Sequence, residues 1–250
     1  MKNLLTLIAL LITLCLKAQV KLHSHNDYLH AKPLIGALES KAFTIEADVF
    51  LVKGPLLVAH TYKERDSKKT LQKMYIDPIV ALFKKNKGYV SADTAYKPTL
   101  MIDIKQDGKL VLDQLVQIFT PLKQYFDRTI NPNAVQVVVS GDRGSISNWK
   151  DYPSFIMFDG RPNETYDSDA INKIGFISDN YFNYIQTKNN RGDSAKIKAV
   201  AEKAHSMNKL IRLWGSPDTE DVWRLLYDCN VDIINTDKPE ECRAYFEKAK

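Results

Sequence analysis

Cysteine is scarce, four of the five histidines fall within the first 60 residues, and no apolar run is long enough for a comfortable bilayer span. Each shortage closes off a class of function. The three cysteines show no Cys–His spacing, which excludes zinc-finger chemistry. Beyond His60 the only histidine is His205, so the later part of the chain cannot supply a second set of imidazole ligands. Basic residues are scattered and form no nucleic-acid module, so nucleic acid is not expected as a partner. Linkers, repeats and low-complexity tracts are missing too. The net charge of +5 favours anionic ligands slightly, but in a chain of 250 residues such an excess is ordinarily a solvated surface.

What is present suits one large monomeric domain, with 44% hydrophobic and 26% charged residues. Residues 1–18 read as a secretory signal peptide. Lys2 forms the basic start, Leu4 to Leu16 the apolar stretch, and cleavage is expected after Ala18. That stretch is short for a membrane span of about 20 residues. The leading residues thus predict export, to the periplasm or the medium, of a single domain covering 19–250. Export would leave Cys229 and Cys242 in an oxidising compartment, where pairing and two separate buried thiols are both open.

After the leader, short β-branched runs alternate with amphipathic segments, the pattern of a parallel sheet with crossover helices. Strands are expected from Val20 to His23 or His25, then at Phe43–Leu51 with a return segment Leu56–Ala59, and at Thr99–Lys105 and Val135–Ser140. Further strands are expected at Phe155–Phe158, Gly175–Ser178, Leu210–Trp214 and Asp232–Asn235. Helices are expected at Pro33–Lys41, Ile76–Lys85, Leu110–Tyr125, Ala195–Met207, Glu220–Tyr227 and Pro239–Lys250, with a short one near Ile146–Trp149. Eight strands with helices between them predict an α/β fold of the (β/α)8 TIM-barrel type, whose chemistry lies at the C-terminal strand ends.

Those ends carry the polar residues. Glu46 and Asp48 interrupt an apolar strand two residues apart and therefore share a face. Buried without a partner they would cost several kcal/mol, a cost that a shared cation removes. Asp103 and Lys105 repeat the spacing on the next strand. Three carboxylates from neighbouring strands make a hard oxygen site suited to Mg²⁺ or Ca²⁺. His23, His25 and His60 are the candidate acid and base, and Lys105 the partner for an anionic substrate. Asn26, Arg212 and Trp214 complete the candidate substrate-binding set. The competing reading is plain: Glu46 and Asp48 facing water, and Asp103–Lys105 an ordinary strand-end ion pair. His30 is expected in a loop and His205 on a helix surface, without a role.

The order of these segments resembles the phospholipase C-like phosphodiesterase superfamily. HSHNDY (His23–Tyr28), IEADVFLV, LLVAH and LMIDIK resemble most closely its "altered inheritance of mitochondria protein 6" branch. The resemblance implies a barrel that cleaves phosphodiesters, of the glycerophosphodiester or phospholipid kind. It also implies one divalent cation on Glu46, Asp48 and Asp103, His60 as one catalytic histidine, and Lys105 on the phosphate. Trp214, in LIRLWGSPD, is implied as pocket wall. The His-Arg-Gly of the glycerophosphodiesterases is replaced by HSHND, so the strand-one role falls to His23 or His25. Two rivals stand beside this reading. One is an amidohydrolase- or histidinol-phosphatase-type metallohydrolase using His23-x-His25 and a strand-eight carboxylate such as Asp237. The other is a barrel that binds a phosphorylated ligand without catalysis.

Overall fold

The structure is a computed structural model that describes residues 19–186 and 191–248. The expected leader lies outside the described residues, apart from its flank at Gln19. No helix among the described residues is long and apolar enough to cross a membrane.

Eight parallel strands close into a barrel. They are β1 (Lys21–Ser24), β2 (Thr44–Leu51), β4 (Thr99–Ile104) and β5 (Gln136–Gly141), followed by β6 (Ile156–Gly160), β7 (Ile174–Asn180), β8 (Ile211–Trp214) and β9 (Ile233–Thr236). Each pairs with the next, and β1 closes the ring by pairing with both β2 and β9. The return segment is β3 (Leu56–Val58), antiparallel to the end of β2, so it extends that strand above the rim without joining the ring. The helices are α1 (Ile35–Glu39), α2 (Asp77–Lys85), α3 (Gly108–Phe119) and α4 (Lys123–Phe126), then α5 (Ser168–Asn172), α6 (Ser194–Ser206), α7 (Glu220–Asp228) and α8 (Pro239–Lys248). The helix expected through Tyr125 breaks at Thr120–Leu122, because Pro121 cannot donate its backbone bond there. Short α5 was not foreseen. Its five residues carry too little apolar periodicity to read, and its start is fixed by Asp167, which accepts from the backbone of Asp169 and Ala170.

Period two divides each strand between a helix-facing and a lumen-facing stripe. Ile45, Ala47 and Val49 turn outward into the main core beneath the helices. The lumen has an apolar floor of Met101, Val138, Phe176 and Ile233, a cluster separate from that core. Two residues further along the same strands stand Asp103, Ser140, Ser178 and Asn235. The inner stripe thus turns from apolar to polar within one pleat, which makes the C-terminal end of the barrel the chemical end.

The opposite end is fastened by arginines on backbone carbonyls. Arg243 of α8 donates to Val20, Ser40 and Lys41, fastening the last helix to the first strand and to the end of α1. Arg128 does the same for Lys97, Pro98 and Ala134. Cys229 and Cys242 are both buried and both free, so the open question of their pairing resolves as two separate thiols.

Candidate active site

Glu46 and Asp48 point into the lumen near the C-terminal end of β2, and both are buried, so the water-facing reading fails. Asp103 pairs in register with Asp48 across β2–β4, which brings the third carboxylate alongside. One oxygen of each of Glu46, Asp48 and Asp103 lies within 4.8 Å of the others. Gly141 on β5 permits this packing. It sits at φ +70°, and a Cβ there would come within 2.7 Å of Asp103 Oδ1 and 2.2 Å of the Ile104 carbonyl.

The two oxygens of Asp48 differ sharply. Oδ2 accepts from Tyr28 Oη at 2.8 Å, from Lys105 Nζ at 2.8 Å and from His60 Nδ1 at 3.1 Å. Oδ1 is buried and has no partner. An orphaned carboxylate oxygen beside two further carboxylates is what a hard cation would satisfy, so the residues fit the expected divalent ion. Lys105 also reaches Asp103 Oδ1 at 3.1 Å, so it is at once an ion-pair partner and a neighbour of the cluster.

Charge crowding shows in the proton affinities. Burial and the adjacent Glu46 push Asp48 up to about 6, against the opposing pull of Lys105. Burial also raises Asp103, again partly offset by Lys105. For Lys105, burial works against the charge, but Asp103 and Asp48 outweigh it and hold the ammonium more firmly protonated. Burial would raise Glu46 as well. It is outweighed by the facing His23 ring and the positive charge of His25 and Arg212, which hold this carboxyl well below the usual carboxylate range.

The strand-one histidines separate in kind. His23 is sealed: Nδ1 lies 2.6 Å from Thr44 Oγ1, while Nε2 lies 3.1 Å from Glu46 Oε2 and 2.7 Å from Arg212 Nη1. Nε2 can donate to the carboxylate or accept from the guanidinium, and the residue is fully buried. Burial, with Arg212 alongside, lowers it to about 4. His25 sits at the mouth, with Nε2 3.7 Å from Glu46 Oε2. Its Nδ1 lies 2.6 Å from Asp237 Oδ1 on the loop after β9. Burial lowers its proton affinity, but Asp237 and Glu46 together outweigh that and raise it. His60 caps the end of β3, its side chain 55% exposed.

Two of the expected site residues lie buried beneath the mouth. The Arg212 side chain is only 3% exposed, and it donates to Ser178 Oγ and Asn235 Oδ1 and meets His23 and Asp159. The inward stripe of β8 places it there, and His23, one pleat below His25, lies under the cluster. Trp214 does end β8 at the mouth, but among the described residues no side-chain hydrogen bond or ring contact ties it to the cluster. Asn26 adopts a left-handed backbone, donates its N–H to Glu46 Oε2 at 3.2 Å, and its side-chain oxygen accepts from Tyr28 Oη at 3.0 Å. Tyr28 and Asp237 also reach the site, on Asp48 and on His25: Tyr28 lies inside the HSHNDY segment, and Asp237 enters the sequence reading only as the strand-eight carboxylate of the rival metallohydrolase. His30 stays in its loop and His205 pairs with Asp232 at the other end of the barrel, at 2.8 Å. Cavities of about 430 Å³ beside Asp237 and about 520 Å³ near His205 are not lined by the three carboxylates. Chemistry, not void volume, marks the site.

Comparison with known proteins identifies the family and the fold. A family model for the AIM6-like phosphodiesterase domain matches residues 16–146. Altered inheritance of mitochondria protein 6 homolog from Arthroderma benhamiae is 28% identical, the match covering 91% of this chain and 84% of that protein. The Eremothecium gossypii protein of that name is 25% identical, over 87% of this chain and 67% of its own length. Among solved structures, a glycerophosphodiester phosphodiesterase from Parabacteroides distasonis superposes with TM-score 0.58 at 15% identity, over 93% of this chain and 99% of the other. One from Agrobacterium tumefaciens gives 0.55 at 14%, over 91% and 99%. At these identities the structural likeness speaks for the barrel fold alone.

Proposed function

The chain belongs to the AIM6-like phosphodiesterase domain family, and from that premise we propose that it is an exported, monomeric, metal-dependent phosphodiesterase acting on a small-molecule or lipid diester. The observation that carries the reading is the three-carboxylate cluster with its orphaned Asp48 Oδ1. Glu46, Asp48 and Asp103 would hold one Mg²⁺ or Ca²⁺, an all-oxygen set that suits neither zinc nor iron. Bound there, such an ion supplies positive charge to the phosphoryl oxygens.

This chain's own residues do the rest. Lys105 neutralises a phosphoryl oxygen beside the cluster. His25 is backed by Asp237, which fixes Nδ1–H and leaves Nε2 toward the substrate; its raised proton affinity suits it to protonate the leaving oxygen. His60, whose Nδ1 is held by Asp48, presents its exposed Nε2 to take the proton of the attacking hydroxyl or water. Tyr28 and Asn26 hold Asp48 and Glu46 in place. Charge also favours a diester. Glu46, Asp48, Asp103 and Asp159 face Lys105, Arg161 and Arg212, and a divalent ion then leaves one net positive charge, which matches a singly charged phosphodiester.

The test is hydrolysis of bis-p-nitrophenyl phosphate with Mg²⁺ or Ca²⁺, in the wild type and in His60→Ala. The expected result is activity that EDTA abolishes and that the variant lacks. Full activity in EDTA would refute the metal reading, and binding of the diester without turnover would favour the non-catalytic barrel.

A further inference from the structure

We infer that Arg161 is a substrate-contact residue whose guanidinium takes a non-bridging phosphoryl oxygen, two strands along the rim from Lys105. The inference rests on the phosphodiesterase reading and extends it to a second wall of the barrel.

Strand β6 ends Asp159-Gly160, with Arg161 directly after it. Asp159 is fully buried, and its Oδ2 accepts from Ser140 Oγ at 2.9 Å and from Arg161 Nη1 at 2.8 Å, with Arg212 Nη2 at 3.5 Å. One carboxylate therefore faces two guanidiniums. Arg161 is the closer of the two, while Arg212 is sealed in the lumen with contacts to four side chains. Of the two, Arg161 is the one that reaches solvent, at 24% side-chain exposure against 3% for Arg212.

Its donors are only partly spent. Nη1 serves Asp159 and the carbonyls of Asp159 and Gly160 at 3.2 and 2.9 Å, and Nη2 reaches Ser140 Oγ at 3.3 Å. Nε–H and the second Nη2–H find no acceptor among the described residues. Ser140 is the register partner of Asp103 across β4–β5, so the guanidinium touches a side chain on the strand next to that of the third carboxylate. A phosphoryl group seated at the cluster would meet both Lys105 and this guanidinium. The backbone that carries this side chain is also held in advance. Arg161 N donates to Glu164 Oε2 at 3.0 Å and to Tyr166 Oη at 2.6 Å, and Arg143 grips Glu164 in turn at 2.6 Å. Preorganisation of this kind lowers the entropy lost when an anion binds. The plain alternative is that Arg161 only neutralises Asp159.

The probe is inorganic phosphate, titrated calorimetrically into the Mg²⁺-loaded protein, beside kcat/KM on bis-p-nitrophenyl phosphate and the melt in EDTA. Arg161→Met is expected to weaken phosphate binding roughly tenfold or more, the scale of one charge-assisted fork. Arg161→Lys, which keeps the charge and loses the fork, is expected to weaken it by only about threefold. Unchanged phosphate affinity in a folded Arg161→Met overturns the inference, as does a wild type that binds no phosphate. If Arg161→Met does not fold, the lysine variant decides, and unchanged affinity there is equally fatal. Weakened phosphate binding alongside a wild type without diesterase activity refutes the parent reading and leaves the anion contact standing.

Discussion

Replacing Asp48 with asparagine should stabilise the metal-free protein while abolishing its response to metal. Asp48 is buried beside Glu46 and Asp103, and its proton affinity is raised to about 6 where a free aspartate has about 3.9. Raised that far, the ionised form is disfavoured by about 3 kcal/mol at neutral pH. The asparagine oxygen can keep the Tyr28, Lys105 and His60 contacts, while its amide replaces the orphaned Oδ1, so about 1–3 kcal/mol should be recovered. For a domain of this size that is a rise in Tm of roughly 2–8 °C. The pH dependence follows from the same raised affinity. Between about pH 4 and 6 the folded wild type keeps a proton that the unfolded chain has lost, so its metal-free stability falls as pH rises through that window. The gain in Asp48→Asn should therefore be full at pH 7.5 and shrink toward pH 4.5. Scanning calorimetry in EDTA at both pH values, repeated with Mg²⁺ or Ca²⁺, tests this; only the wild type should gain stability from the ion. A metal-free variant that melts below wild type at pH 7.5 would refute the reasoning. Glu46→Gln is the control of opposite sign: that carboxyl is held ionised by its neighbours, so neutralising it should lower the metal-free melt.

The remaining expectations are simpler. Arg243→Met strips three carbonyls of a buried cation and should cost about 3–5 kcal/mol, read as a lower urea midpoint with an unchanged m-value; a loss under 1 kcal/mol would mean the latch is redundant. Gly141→Ala forces a Cβ against Ile104 and Asp103 at positive φ, and should weaken Mn²⁺ binding (a spectroscopic stand-in for the native ion) more than it lowers the melt. Asp237→Asn removes the group that raises His25, so the basic limb of the kcat/KM profile should move to lower pH, and an unmoved limb would dismiss His25 as the acid.

Much of this site was legible along the chain because its grammar is local. An i, i+2 pair in a strand must share a face, so Glu46 with Asp48, and Asp103 with Lys105, could be grouped before any fold was known. The alternation of strands and helices, with polar residues at the strand ends, likewise gives the barrel and its chemical end. Extended pairing rules cannot say which face turns inward, and that was the gap the rival reading used.

Closure decided the rest. Only when β1 pairs with both β2 and β9 does Asp237 meet His25, 212 positions earlier, and only then does Arg212 sink beneath His23 rather than face the mouth. Arg161 comes to share its carboxylate in the same way, because Asp159 also meets an arginine from a different strand. The chain by itself determined which side chains travel together along one strand, since backbone geometry repeats every two residues. Which strands face each other across the lumen, and hence which histidine is open and which arginine reaches solvent, belongs to the tertiary structure, because those neighbours are set by ring closure and not by sequence spacing.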